Sequence, residues 1–200
     1  MSGYLEMVER RILSDEWRVG WFRVERDVEI DGLRCSLLFY GHSMYFKTRP
    51  FLLSMLQLPF VYPYGAAAIL FVVKEATLDF IEKVIRAVRS FMERARMKLP
   101  GGREWGVDVA FVAVASEEGV SRDLAEWVEA LKPDVYDQWM QEPWFGRAIN
   151  KKIGLTLIDL KNKVAYSAKN VFAAEAKRLF SPKPALVEKI KWAFRRRKGG

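Results

Sequence analysis

A chain of 200 residues, half of them apolar and 14% aromatic, is long enough for one sizeable core, and one domain is expected. The single cysteine, Cys35, excludes an internal disulfide and a zinc site built on several thiolates. The net charge of +8 is unevenly spread: residues 1–146 hold 18 Lys and Arg against 22 Asp and Glu, a net −4, and residues 147–200 hold 15 against 3, a net +12.

The N-terminus lacks the charged, apolar and small-residue layout of a secretion signal, so a cytosolic location is expected. The longest mainly apolar run, residues 66–73, is far short of the roughly 20 residues of a spanning helix. Few Asn and Gln with abundant Arg, Glu and Lys match the composition of thermophile proteins.

In chain order, Leu5, Val8, Ile12 and Leu13 recur at helical spacing and predict a first helix over residues 4–13. Residues 17–30 alternate in part, Asp31-Gly32 is a tight-turn dipeptide, and residues 33–39 resume a β-prone run, which together predict a hairpin. Residues 49–65 carry Pro50, Pro59 and Pro63 among many aromatics and are expected to be an irregular or short-helical connection. Residues 66–73 have the composition of a buried strand.

Thr77 is placed to cap the following helix, with Asp79 in its first turn. There Ile81, Val84, Val88 and Met92 form an apolar stripe, and Glu82, Arg86, Arg89 and Glu93 occupy the opposite, solvated face. A second buried strand over residues 107–115 precedes a helix capped by Ser121, and two β-α units in succession imply a partly parallel sheet. A hairpin about Lys161-Asn162-Lys163, a helix over residues 171–180, the stiff elbow Ser181-Pro182-Lys183-Pro184 and a last helix to about residue 198 complete the chain. The expected architecture is therefore an α/β domain over residues 1–180, with a mixed, partly parallel sheet between helices, followed by a basic helical tail over residues 181–200.

The order helix, hairpin, apolar strand, helix, strand, helix over residues 4–160 resembles the restriction-endonuclease-like superfamily of Holliday-junction resolvases and Mrr-type nucleases. That resemblance implies an acid in the second hairpin strand and an acid-x-Lys motif on the next, which together hold a divalent metal. Lys74 stands at the lysine position, but Ser36 and Val72 stand where the acids belong. The resemblance thus implies an inactive relative that retains nucleic-acid binding. Asp27, Glu29 and Asp31 alternate along one strand, and Asp31 with Glu75 is the candidate for a displaced metal site, against the simpler reading of a charged strand edge. Asp159-Leu160-Lys161 also spells acid-x-Lys, though it reads more simply as a turn. The lone His42 has no Cys or His companions, and the glycines have no phosphate-loop or dinucleotide spacing, so no cofactor or metal is expected.

Two groups of residues point to a polyanionic partner. Lys189, Lys191, Arg195, Arg196, Arg197 and Lys198 lie on a tail helix that holds one acid, Glu188, and the apolar residues Leu186, Ile190 and Phe194. Such a helix suits phosphates, a docking partner or an anionic membrane surface, and phosphate contact is the expectation because phosphates release counterions on binding. Aromatics interleaved with bases, Tyr45 with Lys47 and Arg49, and Trp144 with Arg147, suit stacking on single-stranded bases. The expected function is non-catalytic binding of DNA or RNA, the alternatives being a nuclease with relocated carboxylates and a protein-interaction module or homodimer.

Overall fold

The computed structural model describes residues 2–14, 19–51, 56–98, 104–132, 134–136 and 151–183; for residues 2, 43–51, 56–63, 97–98, 105 and 134–136 the backbone alone is described. Helix α1 (Ser2–Leu13) leads into β1 (Gly20–Ile30), β2 (Leu33–Phe51) and β3 (Leu56–Val73), then α2 (Leu78–Arg94), β4 (Arg96–Lys98), β5 (Glu104–Gly106) and β6 (Val109–Ser116). Helix α3 (Arg122–Ala130), β7 (Asp134–Tyr136), β8 (Lys151–Asp159), β9 (Val164–Ser167) and α4 (Val171–Phe180) follow. The expected α/β class, with its N-terminal helix and hairpin, is what the chain adopts.

The main sheet runs β1-β2-β3-β6-β8-β7, with β9 also pairing β8. Strand β2 is antiparallel to both β1 and β3, β3, β6 and β8 are parallel, and β7 and β9 run antiparallel to β8. All eight residues of β6 are buried, as befits a parallel strand covered by helices on both faces. On one face Ile81, Val84, Val88 and Met92 of α2 and Leu124 and Val128 of α3 pack with Ile69, Phe71, Val112 and Leu157. On the other, Val8 and Ile12 of α1 and Ala176, Leu179 and Phe180 of α4 pack with Leu37, Leu70, Phe111 and Ile158. At Gly154 a β-carbon would lie 2.3 Å from the Phe172 carbonyl group, so the start of α4 crosses β8 at a distance only glycine allows.

The local signals act as their chemistry dictates. Thr77 Oγ1 accepts from Phe80 N at 3.2 Å and Ser121 Oγ from Leu124 N at 3.4 Å, capping α2 and α3. Asp31 (φ 48°) and Gly32 (φ 78°) both have positive φ between the paired residues Ile30 and Leu33, as a two-residue hairpin turn requires.

One expectation is corrected. Residues 49–51 and 56–65 are not an irregular or helical connection but belong to β2 and β3, which continue past the body of the sheet as a two-stranded ribbon pairing residues 43–51 with residues 56–64. Neither β1, which pairs β2 only as far as His42, nor β6, which meets β3 from Ala66 onward, accompanies it. The prolines fit because the register pairs Met44 with Pro63, Thr48 with Pro59 and Pro50 with Gln57, all in one alternating class of pairs. Every second pair of an antiparallel ladder turns its N–H groups away from the partner, and a ring nitrogen there costs no ladder bond.

Cys35 is fully buried between β2 and α2, and burial pushes its thiol up to about 12, outweighing its contacts with the Leu37 and Leu70 carbonyls. Two outcomes are expected. Native protein at neutral pH should react with Ellman's reagent only as fast as it opens, because the reactive thiolate is absent. And since the folded value lies above the unfolded 9.0, the thiol's contribution to stability is complete below about pH 9 and lost as pH rises toward 12; urea midpoints of the native chain and Cys35→Ala should converge over that window. Rapid labelling of the folded protein would contradict this.

Candidate nucleic-acid interface

The root of the basic tail is built by α1 and α4. The last carbonyls of a helix have no partner within it and favour a nearby cation. Arg11 supplies both donor and charge: buried to 5% exposure, its Nη1 donates to the Leu179 and Ser181 carbonyls at 3.3 and 2.5 Å, and its Nη2 to the Lys183 carbonyl at 3.0 Å. The Tyr4 hydroxyl donates to the Phe180 carbonyl at 2.8 Å, and burial, against the opposing charge of Arg11, raises its pKa so that it stays a donor. The elbow therefore leaves the fold in a fixed place. Arg10, Lys177 and Lys183 are exposed around it, while Arg178 pairs with Glu175 at 2.7 Å.

The expected phosphate-binding residues Lys189, Lys191, Arg195, Arg196, Arg197 and Lys198 lie outside the described residues, as do Trp144 and Arg147. Tyr45, Lys47 and Arg49 occupy alternate positions of β2 in the ribbon, paired across the ladder with Tyr62, Phe60 and Leu58. The structure also divides the +12. Lys151 is buried with its Nζ donating to the Met92 carbonyl, and Lys152 lies 5.0 Å over the Phe172 ring. Residues 184–200 keep six bases against one acid, a net +5.

The positions that carry the nuclease resemblance lie side by side, since Ser36 Oγ accepts from Val72 N at 3.2 Å. Neither is a carboxylate, and Lys74 instead pairs with Glu118 at 3.2 Å, both side chains exposed. The alternative acids do not converge. Asp27 has a positive φ of 51° that breaks the alternation of β1, and it pairs with Arg34 at 2.9 Å. Asp31 pairs with Arg94 at the end of α2, whereas Glu75 precedes the start of that helix, whose 17 residues separate them by about 25 Å at 1.5 Å per residue. Asp159 is fully buried and accepts from Val120 N, Asn162 N and Asn162 Nδ2 at 3.2, 2.7 and 2.8 Å, so it ties the turn after β8 to the loop after β6. Among the described residues no three His, Cys, Asp or Glu side chains gather as a metal site requires, and no helix is long and apolar enough to cross a membrane.

A feature the sequence did not flag is a cleft of about 430 Å³ between α2 and α3, floored by Ile153 and Leu155 of β8. Arg86, Arg89 and Lys132 stand at its rim and Trp127 in its wall. The arginines read as an ordinary solvated helix face; the available signal was their i, i+3 spacing with no acid between them. No protein-family model, curated protein or solved structure matches this chain.

Replacing Arg11 by Leu removes the donors to three carbonyls, two of them at a helix end. A loss of about 3 kcal/mol in urea unfolding is expected, as for buried groups left without a charged partner, and Arg11→Lys should recover part of it. An unchanged midpoint in Arg11→Leu would show that the elbow is not held this way.

Proposed function

We propose that this chain is a non-catalytic nucleic-acid-binding protein whose basic C-terminal segment contacts phosphates, with the aromatic and basic positions of the β2–β3 ribbon contributing contacts to bases. The carrying observation is the segregation of charge, −4 over residues 1–146 against +12 over residues 147–200. A cationic segment of this density gains free energy by releasing counterions condensed on phosphates, a gain that neutral partners do not offer. The anchored elbow supports the same reading, because a fixed exit presents the segment from one place on the surface, beside Arg10, Lys177 and Lys183.

The ribbon adds to it. Residues 43–64 contain two bases, no acid and the aromatics Tyr45, Phe46, Phe51, Phe60, Tyr62 and Tyr64. A two-stranded ribbon fits the DNA major groove, and aromatic rings offer stacking platforms to unpaired bases. Resemblance to the restriction-endonuclease-like superfamily belongs to this reading as that of a relative without metal-binding acids, since Ser36 and Val72 hold their places. The pairing of Asp31 with Arg94 and its distance from Glu75 weigh against relocated nuclease chemistry.

The test is fluorescence anisotropy of labelled DNA and RNA with the full chain and with a variant carrying Gln at Lys189, Lys191, Arg195, Arg196, Arg197 and Lys198. Affinity should fall about a hundredfold or more on losing several phosphate contacts. Tyr45→Ala should weaken single-stranded binding by about 1–3 kcal/mol, the worth of one stacked base, and duplex binding less. Equal affinity of the native and six-glutamine chains would refute the phosphate reading and turn attention to a protein partner.

A further inference from the structure

We propose that the cleft between α2 and α3 is a nucleotide site, taking the phosphate at its cationic rim and the base against Trp127. It lies on the opposite face of the sheet from the Arg11 elbow, so it does not rest on the tail and stands or falls separately.

The argument starts from charge. Among the described residues lining the cleft are three bases, Arg86, Arg89 and Lys132, and one acid, Glu82. Neither Arg86 nor Lys132 has an ion-pair partner among the described residues. A cluster of guanidinium and ammonium groups suits a phosphate, which arginine grips through two parallel N–H donors. Arg86 and Arg89 are one helical turn apart and present their guanidinium groups on the same side of α2. Asn170 and Ala173 at the start of α4 also line the cleft, with Asn170 Oδ1 capping that helix by accepting from Ala173 N at 2.9 Å.

The interior is of a different character. Its floor is Ile153 and Leu155, and Ile85, Trp127 and Leu131 line its sides. Trp127 packs part of its ring on the core and gives the rest to the cleft. A bare phosphate would leave these surfaces wet, and a flat heteroaromatic ring gains more from an indole face than an aliphatic chain does. The volume, about 430 Å³, falls within the range of about 300–1,000 Å³ typical of small-ligand sites. Anion, planar ring and size together specify a nucleotide, either free or as the 5′-phosphorylated end of a strand.

Isothermal titration of the full chain with AMP and with ribose 5-phosphate tests this. AMP should bind saturably at one site with a dissociation constant below about 1 mM, at least tenfold tighter than ribose 5-phosphate. Arg86→Glu, on an exposed helix face, should weaken AMP at least tenfold without changing the unfolding midpoint. Trp127→Phe, which keeps a ring, should retain most of the preference for AMP over ribose 5-phosphate. Absence of AMP binding, equal binding of the two ligands, or indifference to Arg86→Glu would each overturn the proposal. Competition in the six-glutamine background separates the sources: displacement of AMP by a 5′-phosphorylated oligonucleotide and not by its 5′-hydroxyl counterpart assigns the site to strand ends, and no displacement by either assigns it to free nucleotides.

Discussion

Strand β6 has no exposed residue, and the rest of the molecule is arranged around the need to cover it. Parallel neighbours β3 and β8 satisfy its backbone, and α2 with α3 on one face and α1 with α4 on the other remove its side chains from water. Small residues make that possible: Ala66, Ala67 and Ala68 of β3 and Ala110, Ala113 and Ala115 of β6 are all buried, so helices approach without overpacking.

Side-chain hydrogen bonds join the loops at the carboxyl ends of the parallel strands. Open α/β sheets bind ligands beyond the carboxyl ends of their parallel strands. Here Ser116 and Asp159 at those ends serve the fold. Ser116 Oγ accepts from Ala76 N at 3.3 Å and donates to the Gly119 carbonyl at 2.6 Å. Asp159, one strand over, is taken up by Val120 and Asn162. These bonds tie together the loops after β3, β6 and β8. The candidate functional features lie at the margins instead: the elbow below α1 and α4, the ribbon beyond the sheet, and the cleft between α2 and α3.

Most of the fold was legible because local chemistry and global packing agree along most of the chain. Asp31-Gly32, the Thr77 and Ser121 caps, the apolar stripe of α2, the apolar runs of β3 and β6 and the Lys161-Asn162-Lys163 turn all occur where the sequence predicts them, and α4 spans the expected residues 171–180. The ribbon was missed because three prolines in 17 residues ordinarily forbid a strand, and nothing local reveals that they share one class of ladder position. The short strands β4, β5 and β7, three residues each, carry too little pattern to be read. At the candidate interface, the role of Arg11 was invisible because the carbonyls it binds lie 168 or more residues away, and the cleft because it joins side chains of α2 and α3 that each look like ordinary solvated surface. The separation of Asp31 from Glu75 likewise depends on where α2 ends relative to the hairpin tip.

The proposed function draws its binding energy chiefly from phosphates. Its most direct test is the salt dependence of binding to single-stranded and duplex DNA by the full chain. Each phosphate neutralised contributes about −0.9 for duplex and −0.7 for single strands to the slope of log K against log salt. With six bases in residues 184–200 alone, the account predicts slopes of about −4 or steeper. Slopes near zero, or no binding at low salt, would contradict it.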